Sequence, residues 1–500
     1  LLILNQSLCL SEMNNISRCI VILFSYFFLL TGCSEKNPQN IISFGIAQEP
    51  QNLDPRFQSD AASERLSALL YSPLFYFSNN YQLKSNIVDW EKITPLKYKF
   101  TIKKKLPMFH HKKNMDIDDI IATLNNLRNQ ERSPFYEELK NINNVVKLSK
   151  LSFEISLLKK DNNFLTRLSF FILPEDLLNN NHNFSINPIG SGSFIFVKNN
   201  PNLRIKRISD NQIIELIKIK DPTVRVLKLI NGEIDLLQND IPLEMIRLLK
   251  DKERIISLTE FGANVSYIGL NFNDKLLKQT KFRKALSLAI DRQSLINYFL
   301  NDKTRIAEQI LPPEHWASEK VNSITYNPNL AKKYIEELGI KKPISITFKT
   351  STDPFRVKIA TLLQKQLEII GVKLIIKSLD WGTYFKDIQA GNFQLYSLTW
   401  VGIRNPEIYE KIFYSKLTPP KGLNRGKYIN KVTDNLIMEA KELNIWKKVI
   451  KKVHTDNVFL PLWYEGNFAA FNKNISGYHI HLDGNWNALK TVRKNYGVIN

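Results

Sequence analysis

Residues 391–406 read GNFQLYSLTWVGIRNP. Residues 393–400 are almost continuously apolar, are bounded by Gly391 and Gly402, and are too few for a core helix. Such a run predicts a buried strand covered on both faces. The chain before it alternates. Residues 344–348 and 372–376 predict strands, 355–370 an amphipathic helix stopped at Gly371, and 384–390 a shorter helix. A β-α-β-α-β succession calls for a mainly parallel sheet with right-handed crossovers, and such sheets bind ligands beyond the carboxyl ends of their strands. The segment Trp400-Val401-Gly402-Ile403-Arg404-Asn405-Pro406 leaves the central strand at that end. It offers an aromatic plate, a backbone opened by glycine and a cation, and is expected to touch a small ligand.

Outward from this stretch, the chain is long enough, at 500 residues, for two or three domains. Hydrophobic residues at 43% and charged residues at 23% describe a soluble globular protein. Lys+Arg 69 against Asp+Glu 48 gives a net charge of +21. The basic residues are spread along the chain rather than gathered, and no nucleic-acid module is present, so nucleic acid is not expected as a partner.

The N-terminus is more specific. Met13 and Arg18 precede an apolar run over residues 19–30 with one serine, too short to span a bilayer comfortably and of secretory-signal proportions. Leu30-Thr31-Gly32-Cys33 then resembles the bacterial lipobox, which implies lipidation of Cys33. Residues 1–32 are therefore expected to form a signal peptide, with 1–12 upstream of the true start, and residues 33–40 a lipidated tether. Of the three cysteines, Cys9 and Cys19 fall in the leader. Cys33 alone remains, which excludes an intramolecular disulfide, a cysteine nucleophile and a cysteine metal cluster from the mature chain.

Other motifs are given bland readings. His110-His111 invites a metal, yet neighbours in a strand point to opposite faces and no nearby partner completes a set. Residues 187–194, NPIGSGSF, form a glycine loop entering a strand without the lysine and helix of a phosphate cradle. Asp116 and Asp119 are placed to start a helix whose apolar face carries Ile120, Ile121, Leu124 and Leu127. No Gly-x-Ser-x-Gly elbow or His-Glu-x-x-His helix occurs, so an exported hydrolase is a remote alternative and no catalytic residue or cofactor is called for.

Several of these stretches occur together in a telling order. They are Glu49-Pro50 with Leu53-Asp54-Pro55, Met108-Phe109-His110 before Asp119-Ile120, Gly190-Ser191-Gly192 with Phe194, and Gly232-Glu233-Ile234-Asp235. Asn271, Phe282-Arg283-Lys284-Ala285-Leu286, Ala289-Ile290-Asp291-Arg292, Trp400-Val401-Gly402, Asn424-Arg425-Gly426, Asp434 and Pro461-Leu462-Trp463 follow. Over residues 41–495 the series resembles the bacterial extracellular solute-binding proteins of family 5, the oligopeptide, dipeptide and nickel group of ABC importers.

The resemblance implies an α/β, type II periplasmic-binding-protein fold, with two lobes hinged around a ligand cleft and three interleaved domains. Domain I would comprise 41–70, 186–262 and 466–500, domain II 71–185, and domain III 263–465. It implies a monomer in the periplasm or cell envelope, anchored by Cys33, that passes peptides or peptide-like solutes to an ABC permease and performs no chemistry. A nickel, metallophore or other anionic-solute binder on the same fold is the alternative. The ligand-flanking strands would be carried by Ser59, Asp60 and Ala61 and by Trp400, Val401, Gly402, Arg404 and Asn405. Peptide binders of the family commonly hold the α-amino group with an acidic residue after the tryptophan. Here Ile403, Arg404 and Asn405 stand in the loop, with Glu407 beyond Pro406. Unless Glu407 or Asp60 substitutes, the amine lacks its usual partner, and Arg404 would favour a carboxylate or other anion.

Overall fold

The strand at the centre of this succession runs from Leu395 to Trp400 and pairs in parallel with Ile344–Ser351, whose other edge pairs in parallel with Val372–Leu379. Helices Pro354–Glu368 and Trp381–Ala390 supply the crossovers. Their ends follow from local chemistry. Asp353 and Asp380 accept hydrogen bonds from the backbone N–H groups of Arg356 and Thr383, and Gly391, at φ 75°, closes the second helix in the left-handed region. In this computed structural model, residues 41–495 are described, apart from Ser59, Asn79, Asn200, Lys341 and Lys342. The signal peptide expected over 1–32, the tether expected over 33–40 and Cys33 lie outside the described residues.

The sheet is mixed rather than mainly parallel. Its order is Arg305–Ile306, Leu460–Tyr464, Val265–Leu270, Leu395–Trp400, Ile344–Ser351, Val372–Leu379, antiparallel through the first four strands and parallel beyond. A local β-α-β pattern fixes the direction only of the strands it connects. The remaining strands return from distant parts of the chain, and nothing in the pattern around residue 400 sets their direction.

A second, seven-stranded sheet draws on three separated segments, with Ile41–Ile46 near its middle, strands between Phe194 and Glu260 on either side, and Asn467–Asn472 inserted next to Ile255–Glu260. It has a core on each face: Leu236 packs with Phe44 and Phe471, while its neighbour Leu237 packs with Ile234 and Phe468. A third sheet, Val88–Thr94, Lys97–Ile102, Ser152–Leu157 and Ile142–Lys147, is antiparallel throughout. Helix Ile117–Arg128 packs on it through Ile120, Leu124 and Leu127, against Phe100 and Phe153. Its start carries the capping box formed by Asp116 and Asp119.

The glycine loop expected to be structural is held against helix Ala61–Leu70. Gly192 donates to the Leu70 carbonyl at 2.9 Å, and a Cβ at Gly190 would meet that same oxygen at 2.1 Å. His110 clasps the loop from the other side, with Nδ1 accepting from Gly190 N.

Two chain segments join the seven-stranded sheet to the six-stranded one, residues 261–264 and 465–466. They run against each other. Glu465 N donates to the Asn264 carbonyl at 2.8 Å, and a Cβ at Gly262 would lie 1.8 Å from the Glu465 carbonyl oxygen.

Candidate ligand cleft

A cavity of ≈ 610 Å³ lies where the two large sheets face each other across these crossing segments. Asn264, Glu465, Gly466 and Asn467 belong to its lining. One wall carries Ala61 and Arg65 from a helix and Asn239 to Ile246 from the segment after strand Leu236–Gln238. The other carries Ser266, Ser397, Thr399 and, from the start of helix Pro354–Glu368, Phe355 and Arg356. The volume suits a small organic ligand with a few placed polar groups.

Strand periodicity decides who faces the cavity. Ser397, Thr399 and then Val401 point into it, whereas Leu398 and Trp400 turn to the opposite face. On that face Trp400 stacks on Tyr267, with ring centres 5.6 Å apart and planes 3° from parallel. The Arg425 guanidinium sits 5.0 Å from the Trp400 ring centre. On the neighbouring strand Ser266 lines the cavity and Tyr267 does not, by the same alternation.

The electrostatic centre of the cavity is Glu465. Its Oε1 accepts from Ser266 Oγ at 2.7 Å and from Thr399 Oγ1 at 3.0 Å. Burial pushes its carboxyl above the ordinary glutamate range, and Asp240 adds to this, while the two hydroxyls and the nearby Arg356 work against it. The Arg356 guanidinium reaches the Ser397 carbonyl only at 3.5 Å. Opposite, Asn239 and Asp240 both adopt left-handed backbone, with φ 58° and 54°. Consecutive non-glycine residues in that region carry strain of the kind found at ligand sites. They are held there by Asn239, whose side chain donates to Asn467 Oδ1 at 3.0 Å and accepts from Phe468 N at 2.9 Å.

The residues singled out from the sequence are divided among several places. Ala61 and Val401 line the cavity. Ser59 lies outside the described residues. Asp60 caps helix Ala61–Leu70, accepting from Ser63 N at 2.9 Å, and also takes the Gln51 N–H at 3.3 Å. Gly402, at φ 69°, donates its N–H to Asn264 Oδ1 at 3.4 Å and so joins the loop to a crossing segment. Arg404 reaches Glu64 at 3.0 Å and Asp483 at 3.6 Å instead of the cavity. Asn405 donates to Thr166 Oγ1 at 2.9 Å. Glu407 is buried, with its Oε1 accepting from Asn163 at 2.8 Å and Arg167 at 3.2 Å. The loop is thus a junction at which Arg404 meets residues packed with the seven-stranded sheet and Asn405 and Glu407 meet residues packed with the four-stranded one.

Sequence reasoning missed Glu465, Ser266, Thr399, Arg356 and Asp240. A signal existed for two of them. Thr399 is one of two hydroxyl residues at alternate positions in an apolar strand, and Glu465 follows directly on the apolar run 458–464 and precedes a glycine. Among the described residues no group of three or more His, Cys, Asp or Glu side chains is placed to hold a metal ion.

Comparison with known proteins agrees with this architecture. The family model described as bacterial extracellular solute-binding proteins, family 5 Middle, matches residues 87–416. The oligopeptide-binding protein AppA of Bacillus subtilis (strain 168) is 27% identical over 489 residues, which span 87% of this chain and 88% of that protein. The solved structure of Bacillus subtilis AppA in complex with a nonapeptide has a TM-score of 0.73 at 24% identity, covering 92% of this chain and 100% of that one. NikZ from Campylobacter jejuni in complex with Ni(L-His) gives 0.75 at 23% identity, covering 91% and 100%. The fold is the mixed α/β arrangement of the type II periplasmic binding proteins.

Proposed function

The chain belongs to the bacterial extracellular solute-binding proteins of family 5, and we propose that it captures peptides or peptide-like solutes outside the cytoplasm and delivers them to the permease of an ABC importer. One observation carries the reading. The cavity lies between two sheets that, among the described residues, the chain connects directly at 261–264 and 465–466, so a ligand there touches both walls and both connections at once. Two walls on a pair of crossing segments can close on a ligand and reopen for delivery. The kinship with AppA favours peptide as the class.

The domain limits 41–70 with 186–262 and 466–500, 71–185, and 263–465 suit this mechanism, because they separate the strands of the seven-, four- and six-stranded sheets. Ala61 and Val401 are the ligand-flanking positions supported by the cavity lining. The lipobox-like Leu30-Thr31-Gly32-Cys33 supports tethering to the cell envelope through Cys33, and the family resemblance supports a monomer. Two or more acyl chains give stable attachment, so Cys33→Ala should accumulate as an unprocessed precursor on fractionation and mass spectrometry. Normal processing of that variant would sink the anchor.

A thermal-shift screen of the protein without its leader, against mixed short peptides and against nickel with free histidine, tests the ligand class. Peptides should raise the melting temperature. A rise with the nickel chelate alone would replace peptide by the alternative that the NikZ likeness supports.

A further inference from the structure

We propose that Glu465 is the group with which the cleft recognises a cation on its ligand, the terminal ammonium of a peptide or an equivalent amine. The proposal rests on the reading of the cavity as the ligand cleft and assigns its cation subsite.

Geometry is the first argument. Glu465 lies in a crossing segment and borders the cavity. Its Oε1 is fixed by the hydroxyls of Ser266 and Thr399, which are themselves 2.8 Å apart. Two donors on one oxygen hold the carboxylate plane in place. The second oxygen, Oε2, has no hydrogen-bond partner among the described residues and is left for a ligand.

Charge is the second. A carboxylate half-buried beside a cavity gains from a counter-ion or further donors. Among the described residues Glu465 forms no ion pair. Arg356 is near enough to favour its charged form without bonding it, and its guanidinium points to the Ser397 carbonyl. Asp240, on the facing wall, adds negative charge rather than cancelling it. An ammonium between these two carboxylates gains a charge-assisted bond with Glu465 and a favourable interaction with Asp240.

Elimination is the third. The two carboxylates that the sequence offered for the amine, Asp60 and Glu407, are in use. Asp60 caps a helix and braces Gln51, and Glu407 is buried against Arg167 and Asn163. Neither lines the cavity.

Glu465→Gln keeps the size of the side chain and an oxygen for both hydroxyls while removing the charge. Wild type and variant are titrated by calorimetry with one peptide in two forms, amino terminus free and acetylated. The expected result is a loss of about tenfold or more for the free amine in the variant and no more than about twofold for the acetylated form, as for removal of a charge-assisted bond. Glu465→Asp, which retains the charge, should keep a preference for the free amine. Its melting curve without ligand, alongside that of Glu465→Gln, verifies folding. Equal losses on both forms, or a wild type indifferent to acetylation, would overturn the assignment and leave Glu465 a brace of the crossing segment. Should no peptide bind the wild type, the peptide reading fails separately. Putrescine and arginine methyl ester titrated against both proteins then decide the subsite: binding lost in Glu465→Gln supports it, and no cation binding overturns it.

Discussion

The guanidinium of Arg404 meets Glu64 and Asp483, both packed with the seven-stranded sheet, while its own loop leaves the six-stranded one. A cation so placed ties its loop to the seven-stranded side and does not line the cavity. With 37% of its side chain exposed, the pair contributes ~0–1 kcal/mol. Arg404→Ala should therefore change affinity for free and amidated forms of one peptide by the same factor in calorimetry, and a selective loss for the free carboxylate would restore Arg404 as a ligand group. Glu407 and Arg167 form the opposite case, a pair with side-chain exposures of 6% and 18%. Arg167→Met leaves Glu407 buried with Asn163 alone and takes from Asp161 its partner at 2.6 Å, and removing one partner of a buried pair costs ~3–5 kcal/mol. Urea denaturation should show that loss at neutral pH. Burial already holds the Glu407 carboxyl above its usual range, with Arg167 opposing. A carboxyl raised in the folded state costs stability while ionised, and the cost disappears as pH falls through the folded-state value. The variant should accordingly recover part of its deficit between neutral pH and the ordinary carboxylate range. A deficit that is flat or grows over that interval would show that the lost stability does not come from an unpaired Glu407.

Strand Leu395–Trp400 shows what a local pattern can and cannot reveal. Its apolar run and bounding glycines located the strand, its parallel partners and the helices between them, because periodicity and caps are written within a few residues. The same run suggested burial on both faces, and this concealed that Ser397 and Thr399 share a face with the cavity. Trp400, the most conspicuous side chain, lies on the other face by the two-residue repeat. The facing wall comes from residues 239–246, more than 150 positions earlier in the chain, and no spacing within the loop could announce it. The crossing segments are a second element whose role depends on proximity. Gly262→Ala would place a Cβ 1.8 Å from the Glu465 carbonyl oxygen, and that backbone cannot retreat without breaking the Glu465–Asn264 hydrogen bond. Overpacking of this kind costs ~1–3 kcal/mol, and the displaced Glu465 should weaken ligand binding as well. Gly232→Ala serves as the control. Its added Cβ meets nothing within 4 Å, so only the left-handed φ of 75° is penalised, at ~1–2 kcal/mol, and binding should be unchanged. A Gly262→Ala variant that melts and binds as wild type would show that the two segments can part freely.

At the scale of the molecule, three sheets are assembled from interleaved segments, and the seven-stranded one collects strands from both ends of the described chain. Recognition of an ordered series of motifs made that legible where pattern reading could not, since long-range pairing leaves little trace in any single window. The arrangement has a mechanical consequence. Because, among the described residues, the chain passes directly between the two large sheets at 261–264 and 465–466 alone, relative rotation of the walls would be absorbed in those six positions. Arg404 with Glu64 and Asp483, and Gly402 with Asn264, are the contacts that such a rotation would stretch. A ligand bridging the walls should bias the pair toward closure. Small-angle scattering should then report a smaller radius of gyration on saturation, and hydrogen exchange at 261–264 and 465–466 should slow. At a ligand concentration of 100 Kd the folded state gains about 2.7 kcal/mol, so the melting temperature must rise together with these changes. Arg404→Ala, lacking its link to Glu64 and Asp483, should show a larger radius than wild type without ligand and the same radius with it. A ligand that raises the melting temperature but leaves the radius and the exchange at both segments unchanged would mean that the walls are preset around the cavity and that the crossing segments do not act as a hinge.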